Sequence, residues 1–131
     1  MDSYPGDNVV DVFGVHYYDN RPKLNSERAW SAMYNATING GPHGIGKWLS
    51  EARSHGKKLA IPEWGLAAVD GDSRSEVDNP VYIDSMNRFF RANSSSIAYE
   101  SYFNCQPRHQ IYPSNVYPRA SSRYRALWAA G

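Results

Sequence analysis

Three short apolar segments, separated by stretches of helical periodicity, limit this chain more than any other feature. The first runs Val9-Val10-Asp11-Val12-Phe13-Gly14-Val15-His16-Tyr17-Tyr18. Its nearly continuous β-branched and aromatic character predicts a strand buried on both faces, as in parallel sheets. Asp19-Asn20-Arg21-Pro22 ends it with turn chemistry. A second strand is expected over 59–65, Leu59-Ala60-Ile61-Pro62-Glu63-Trp64-Gly65, with its proline near the carboxyl end where the ladder finishes. A third is expected over 97–104, Ile97-Ala98-Tyr99-Glu100-Ser101-Tyr102-Phe103-Asn104.

Helices fill the gaps. One is expected over 27–34, before the chain breaks at Asn39-Gly40-Gly41-Pro42. Ile45, Trp48, Leu49 and Ala52 then fall on one apolar stripe, and Gly56 marks the stop. A polar loop over 70–78 leads to Asn79-Pro80, an N-cap followed by an N1 proline. Tyr82, Met86, Phe89 and Phe90 give that helix its buried face. Ser94-Ser95-Ser96 reads as a loop, and a last helix is expected over 121–129 with Tyr124, Leu127 and Trp128 inward. Strands alternating with helices predict βαβ units, a parallel sheet and an α/β fold. Three such units fill the 131 residues as a single domain, residues 1–131. A closed eight-unit barrel takes about 250 residues.

Composition narrows the function classes. Hydrophobic residues are 41% and charged residues 21%, with a formal net charge of +1, which is the balance of a globular chain. So small a charge gives no electrostatic case for nucleic acid or a membrane surface. No apolar run approaches the roughly 20 residues of a membrane span. The start, Met1-Asp2-Ser3-Tyr4-Pro5-Gly6, lacks the pattern of a signal peptide. The lone cysteine, Cys105, forms no intrachain disulfide and reads as a small core residue rather than a reactive thiol. His16, His43, His55 and His109 lack metal-ligand spacing, and no cofactor or metal is expected. Asn35-Ala36-Thr37 and Asn93-Ser94-Ser95 match glycosylation triplets that arise often by chance.

In βα architectures the functional groups gather where strands end. Here the ends carry His16, Tyr17, Tyr18 and Asp19, then Glu63 and Trp64, then Tyr102, Phe103 and Asn104. One carboxylate, hydrogen-bonding groups and several rings on one rim are what a sugar-cleaving cleft requires. Glu63 is the most informative of them, because an acid ending an apolar strand is costly unless paired. By pattern alone it fits a catalytic carboxylate and an ordinary salt bridge equally well. Trp30, Trp48 and Trp128 fall on helices and are expected in the core. Asp19, Asp70 and Asp72 read as solvated loop acids, and Glu100 as a packing carboxylate within its strand.

Four stretches resemble glycoside hydrolases of clan A. Ile61-Pro62-Glu63-Trp64-Gly65, after His55-Gly56-Lys57-Lys58-Leu59-Ala60, resembles the clan's seventh strand. Tyr4-Pro5-Gly6-Asp7 with Val10-Asp11-Val12-Phe13-Gly14-Val15 resembles the sixth strand of glycoside hydrolase family 26, the β-mannanase family. Residues 98–104 resemble the eighth strand, and Ala120-Ser121-Ser122-Arg123-Tyr124-Arg125-Ala126-Leu127-Trp128 the closing helix. The resemblance covers nearly the whole chain, in the family's order. It implies a partial (β/α)8 barrel holding the sixth to eighth strands. It also implies retaining hydrolysis of a β-mannan-like polysaccharide with Glu63 as nucleophile. His16 then stands where clan members contact the nucleophile or the substrate, and a rim histidine satisfied by backbone fits it equally well. Trp64 stacks on a sugar or packs the barrel. Tyr17, Tyr18, Tyr102 and Asn104 are further substrate-binding candidates. Full-length members of such families are typically secreted.

Retaining chemistry needs a second carboxyl about 5–5.5 Å away. The clan places it on the fourth strand, and no matching Asn-Glu pair occurs in this sequence. A weak or inactive fragment is therefore expected from this chain alone, with self-association or a complementing chain supplying what is missing. A non-catalytic carbohydrate-binding or self-assembling module is the alternative. A doubly wound nucleotide-binding fold would need a glycine-rich loop after a strand. Gly40-Gly41-Pro42-His43-Gly44-Ile45-Gly46 follows a helix instead and reads as a loop.

Overall fold

A computed structural model describes residues 4–20, 22–105 and 107–129. The chain runs β1 (Val12–Asp19), α1 (Glu27–Tyr34), β2 (Thr37–Ile38), β3 (Gly41–Pro42), α2 (Ile45–Ser54) and β4 (Lys58–Leu66). It continues with α3 (Arg74–Val77), α4 (Pro80–Ala92), a single 3-10 turn at Ser94–Ser96, β5 (Ile97–Tyr102) and α5 (Pro118–Trp128). The main sheet has the order β1-β4-β5, and both pairings are parallel. The α/β class and the parallel sheet read from sequence are therefore present. β2 and β3 form a separate antiparallel pair. Asn39 and Gly40 turn it with φ of 50° and 77°, the positive values a two-residue hairpin turn requires.

α1, α3, α4 and α5 start where the sequence offers an acceptor or a fixed φ. Ser26 caps α1 by accepting from the Ala29 amide. Ser73 and Glu76 close a capping box on α3. Asn79 caps α4, with Pro80 in its first turn. Proline also opens α5, at Pro118, three residues before the start read from sequence.

One core lies between the sheet and the helices. Phe13, Val15 and Tyr17 from β1 meet Leu59, Ile61, Trp64 and Leu66 from β4, Ile45, Leu49 and Ala52 from α2, and Tyr82, Met86 and Phe89 from α4. The other face of β1 is open: Val12, Gly14 and His16 are exposed. Burial of that strand on both faces, expected from its apolar run, is thus corrected. Helices cover one face only, so β1 alternates in burial despite its unbroken hydrophobicity. Cys105 is also corrected, since it is exposed rather than core.

β4 carries one residue more than its neighbours at Pro62–Glu63. Gly14 pairs with Ala60 but His16 with Glu63, and the β5 pairing shifts between Ile61 and Trp64 as well. Such a bulge breaks the two-residue alternation and re-aims a side chain.

Candidate functional site

Glu63 stands near the carboxyl end of the central strand, level with His16 across the β1–β4 pair. Tyr18 donates its hydroxyl hydrogen to Glu63 Oε2 at 2.9 Å. His16 Nδ1 lies 3.3 Å from the same oxygen, and the two side chains are 58% and 36% exposed. The carboxylate is therefore held by two partners yet reachable from solvent. Burial, and then the hydrogen bond to Glu63, push the Tyr18 phenol above its ordinary 10.0, so the hydroxyl keeps its proton and remains a donor. The sequence-predicted residues Glu63, His16 and Tyr18 are brought together.

Two further groups complete the rim. The ring of Tyr18 packs edge-on against Phe103 at 6.3 Å and lies 5.0 Å from His109. His109 Nδ1 contacts the Leu66 carbonyl, which orients its imidazole. Phe103 was visible at a strand end, but His109 sits in the long loop after β5, where no local pattern singles it out. Among the described residues no group of three or more His, Cys, Asp or Glu could hold a metal ion.

Four residues expected at this rim serve other ends. Trp64 is 0% exposed and lies among Tyr82, Phe90, Tyr102, Tyr124 and Trp128. Its indole donates to Glu100 Oε2, so Trp64 packs the helix side and has no free face for a sugar. Tyr17 is buried against Trp30, though it also lines a cavity shared with His16 and Tyr18. Tyr102 donates to the His109 carbonyl and accepts from the Leu66 amide, joining the β5 loop to β4. Asn104 accepts from the Ile111 and Tyr112 amides and donates to the Tyr112 carbonyl, which folds its own loop. The reason is strand alternation: Tyr17 and Tyr18, or Glu63 and Trp64, are sequence neighbours and so point to different sides.

The other strand acids also find partners. Glu100 accepts from the indoles of Trp64 and Trp128 at 2.5 and 2.9 Å, matching the packing role expected of it. Asp19 is fully buried, contrary to the solvated loop acid expected. It accepts from the Leu24 amide at 2.7 Å and the Asn79 side chain at 2.8 Å. Burial raises its pKa above the usual 3.8, against those two hydrogen bonds. Lys23 donates to the Asp19 and Ala67 carbonyls and pairs with Asp72 at 3.0 Å. Asp72 is hence also no solvated acid. This network ties the loop after β1 to the loop after β4.

A cavity of about 270 Å³ adjoins the cluster on the β1 side. A roomier hollow of about 880 Å³ lies on the outer helix side, between α1, α4 and α5. Its Arg88 and Arg123 already pair with Glu27 and Asp84, and none of the site residues lines it.

No family model and no curated protein sequence matches the chain. Among solved structures, it is similar to an endo-beta-1,4-glucanase from Xanthomonas axonopodis pv. citri carrying a triple mutation. The TM-score is 0.50 and the identity 11%, over 88% of this chain. The chain spans 36% of that enzyme's chain. At such identity the likeness bears on fold alone, an α/β arrangement around a three-stranded parallel sheet.

Proposed function

We propose that this chain is a carbohydrate-active segment of a (β/α)8 barrel, holding the sixth to eighth strands, with Glu63 as the nucleophile of retaining hydrolysis. One observation carries the reading. A half-exposed carboxylate at the end of the central parallel strand is held by a tyrosine hydroxyl and an imidazole, leaving it open to solvent on the uncovered face. In such chemistry Glu63 attacks the anomeric carbon, forms a glycosyl-enzyme, and is displaced by water. The Tyr18 hydrogen bond and the nearby His16 imidazole orient the carboxylate before attack. The polymer is β-linked. The sequence resemblance points to β-mannan, and the structural neighbour's name to β-1,4-glucan.

The acid/base must come from outside this chain. Glu100 is engaged by two indoles on the helix side, and Asp19 is buried in the Lys23 network. That observation favours a second reading, a binding module that holds saccharide without cleaving it. Turnover of an aryl β-glycoside, β-mannan or β-1,4-glucan, abolished by Glu63→Ala, selects hydrolysis. Saccharide binding that persists in Glu63→Gln with no turnover in the parent selects the module.

The missing group and the free strand edges lead to one partner proposal. β1 and β5 each have a single neighbour in the main sheet, so each offers an unpaired backbone edge. A second copy, or a chain supplying further βα units, covers them. Light scattering on the purified chain tests this: a stable monomer at all concentrations rejects self-association.

A further inference from the structure

A third hollow, of about 390 Å³, opens between α5 and the loop that follows β5. Its size is that of a small-molecule pocket, about 300–1,000 Å³. Ile111, Tyr112, Tyr124 and Trp128 supply apolar walls, and Ser121 and Arg125 supply polar groups. Both walls are held in place without a ligand. On α5 the Tyr124 and Trp128 rings stack at 4.4 Å and 7°, and the Trp128 indole donates to Glu100 at 2.9 Å. On the loop, Asn104 accepts from the Ile111 and Tyr112 amides and donates to the Tyr112 carbonyl, so a tyrosine 72% exposed stands on a fixed backbone. The two polar groups lie one helical turn apart, and neither has an internal use. Ser121 is only 6% exposed, and its hydroxyl finds no hydrogen-bond partner among the described residues. A helical serine commonly bonds the carbonyl four residues back. Here the Tyr117 carbonyl takes the Ser121 amide alone. Among the described residues no fully buried side-chain polar atom lacks a partner, so this oxygen reaches solvent where Ser121 lines the hollow. Arg125 forms no ion pair or side-chain hydrogen bond among the described residues.

We propose that this hollow binds a small carboxylate with an aromatic body, its ring against Tyr112, Tyr124 and Trp128 and its charge on Arg125 and Ser121. A guanidinium fork matches a carboxylate, and an ionised acceptor suits a hydroxyl that has none. Aromatic rings favour offset and edge contacts with one another. The alternatives each leave something unmet. A purely apolar ligand satisfies neither polar group, and covering them without a partner is costly. A neutral saccharide leaves the guanidinium without its anion. A compact anion such as phosphate gives up water against the rings with nothing in return. A cation meets Arg125 with like charge. The hollow lies on the side of α5 that carries Ser121 and Arg125, while Arg123 on another side pairs with Asp84 of α4. None of Glu63, His16 and Tyr18 lines it, so the inference is independent of the hydrolase reading.

The test is titration of the purified chain with 3-phenylpropionate at neutral pH, read by calorimetry and by the Trp128 indole N–H resonance in NMR. The expected result is saturable binding of one ligand per chain that shifts this resonance. 3-Phenylpropanamide, which keeps the ring without the charge, should bind at least about tenfold more weakly. Arg125→Gln should weaken binding of the acid to a similar degree, and Ser121→Ala about fivefold. Acetate, a charge without a ring, should not saturate at the same concentrations. Arg125 is exposed, so Arg125→Gln is expected to fold, as circular dichroism verifies, and it decides the matter alone if Ser121→Ala does not. Absence of a saturable Trp128 shift, equal affinity for the acid and its amide, or unchanged affinity in either folded variant overturns the proposal. A Trp128 shift given by β-1,4-linked oligosaccharides and not by the acid overturns it as well. None of these outcomes bears on Glu63.

Discussion

The Tyr18 hydroxyl spans the β1–β4 boundary to bond Glu63 Oε2 at 2.9 Å, with His16 converging on the same oxygen. Two side chains of β1 thus act on one oxygen of β4, and each can be removed separately. Tyr18→Phe deletes the hydroxyl and leaves the ring against Phe103 and His109. Unfolding stability should change by less than about 1 kcal/mol, since the bond is only part-buried. Saccharide turnover, or affinity where turnover is absent, should fall about tenfold. Urea unfolding beside oligosaccharide titration checks the split. Equal losses in both would mean that Tyr18 is merely structural.

Trp64 should behave in the opposite way. Trp64→Ala leaves a large void among five aromatic rings and removes a donor from Glu100, so stability should drop by about 3–5 kcal/mol. Trp64→Phe should cost less and keep saccharide affinity within about twofold of the parent in the folded fraction. Denaturation midpoints and titration of the folded protein check both.

Asp19→Ala strips the acceptor from the Leu24 amide and from the Asn79 side chain, two buried donors. Leaving them unpaired should destabilise the chain by about 2–4 kcal/mol. Hydrogen exchange at the Leu24 amide should rise with it, which separates local loosening from general loss.

Acid and neutral pH should act through two carboxyls with opposite sign. Asp7 is held below its usual 3.8 by hydrogen bonds from Tyr4 and His55. Its folded pKa is depressed, so it stabilises above 3.8 and that contribution fades as pH falls through the lower folded value. Asp19 has a raised folded pKa, chiefly from burial. Stability from this group declines as pH rises from 3.8 through the folded value. Unfolding curves across this acid range should therefore converge for Asp7→Asn and its parent at the acid end. In Asp19→Ala the decline assigned to Asp19 should vanish.

The main elements were legible because each has a local physical cause. The Ile45–Ser54 helix follows its apolar periodicity, and α4 follows its Asn79-Pro80 start. What escaped had too little sequence to carry a period. The Thr37–Ile38 and Gly41–Pro42 strands are two residues each, and only their Asn-Gly turn showed, as a break. α3 has one turn, though its Ser73 and Glu76 spacing is the capping-box signal and could have revealed it. At the site, Glu63, His16 and Tyr18 met as the strand-end rule implies. Tyr17 and Trp64 did not join them, because an unbroken apolar strand conceals which alternate residues face the helices. Asp19 looked like a turn residue, and its burial depends on Lys23 and Asn79, which come from other segments.

The opposite facing of Glu63 and Trp64 has a genetic corollary. It separates two adjacent codons into different worlds, one open to solvent beside Tyr18 and His16 and the next answerable to the fit of rings against α4 and α5. Saturation libraries at 63 and 64 should therefore give unrelated tolerance profiles. Chemical character will decide survival at the first, and bulk and shape at the second. Someone wishing to alter the open rim can work on one codon without reopening the packing beneath it.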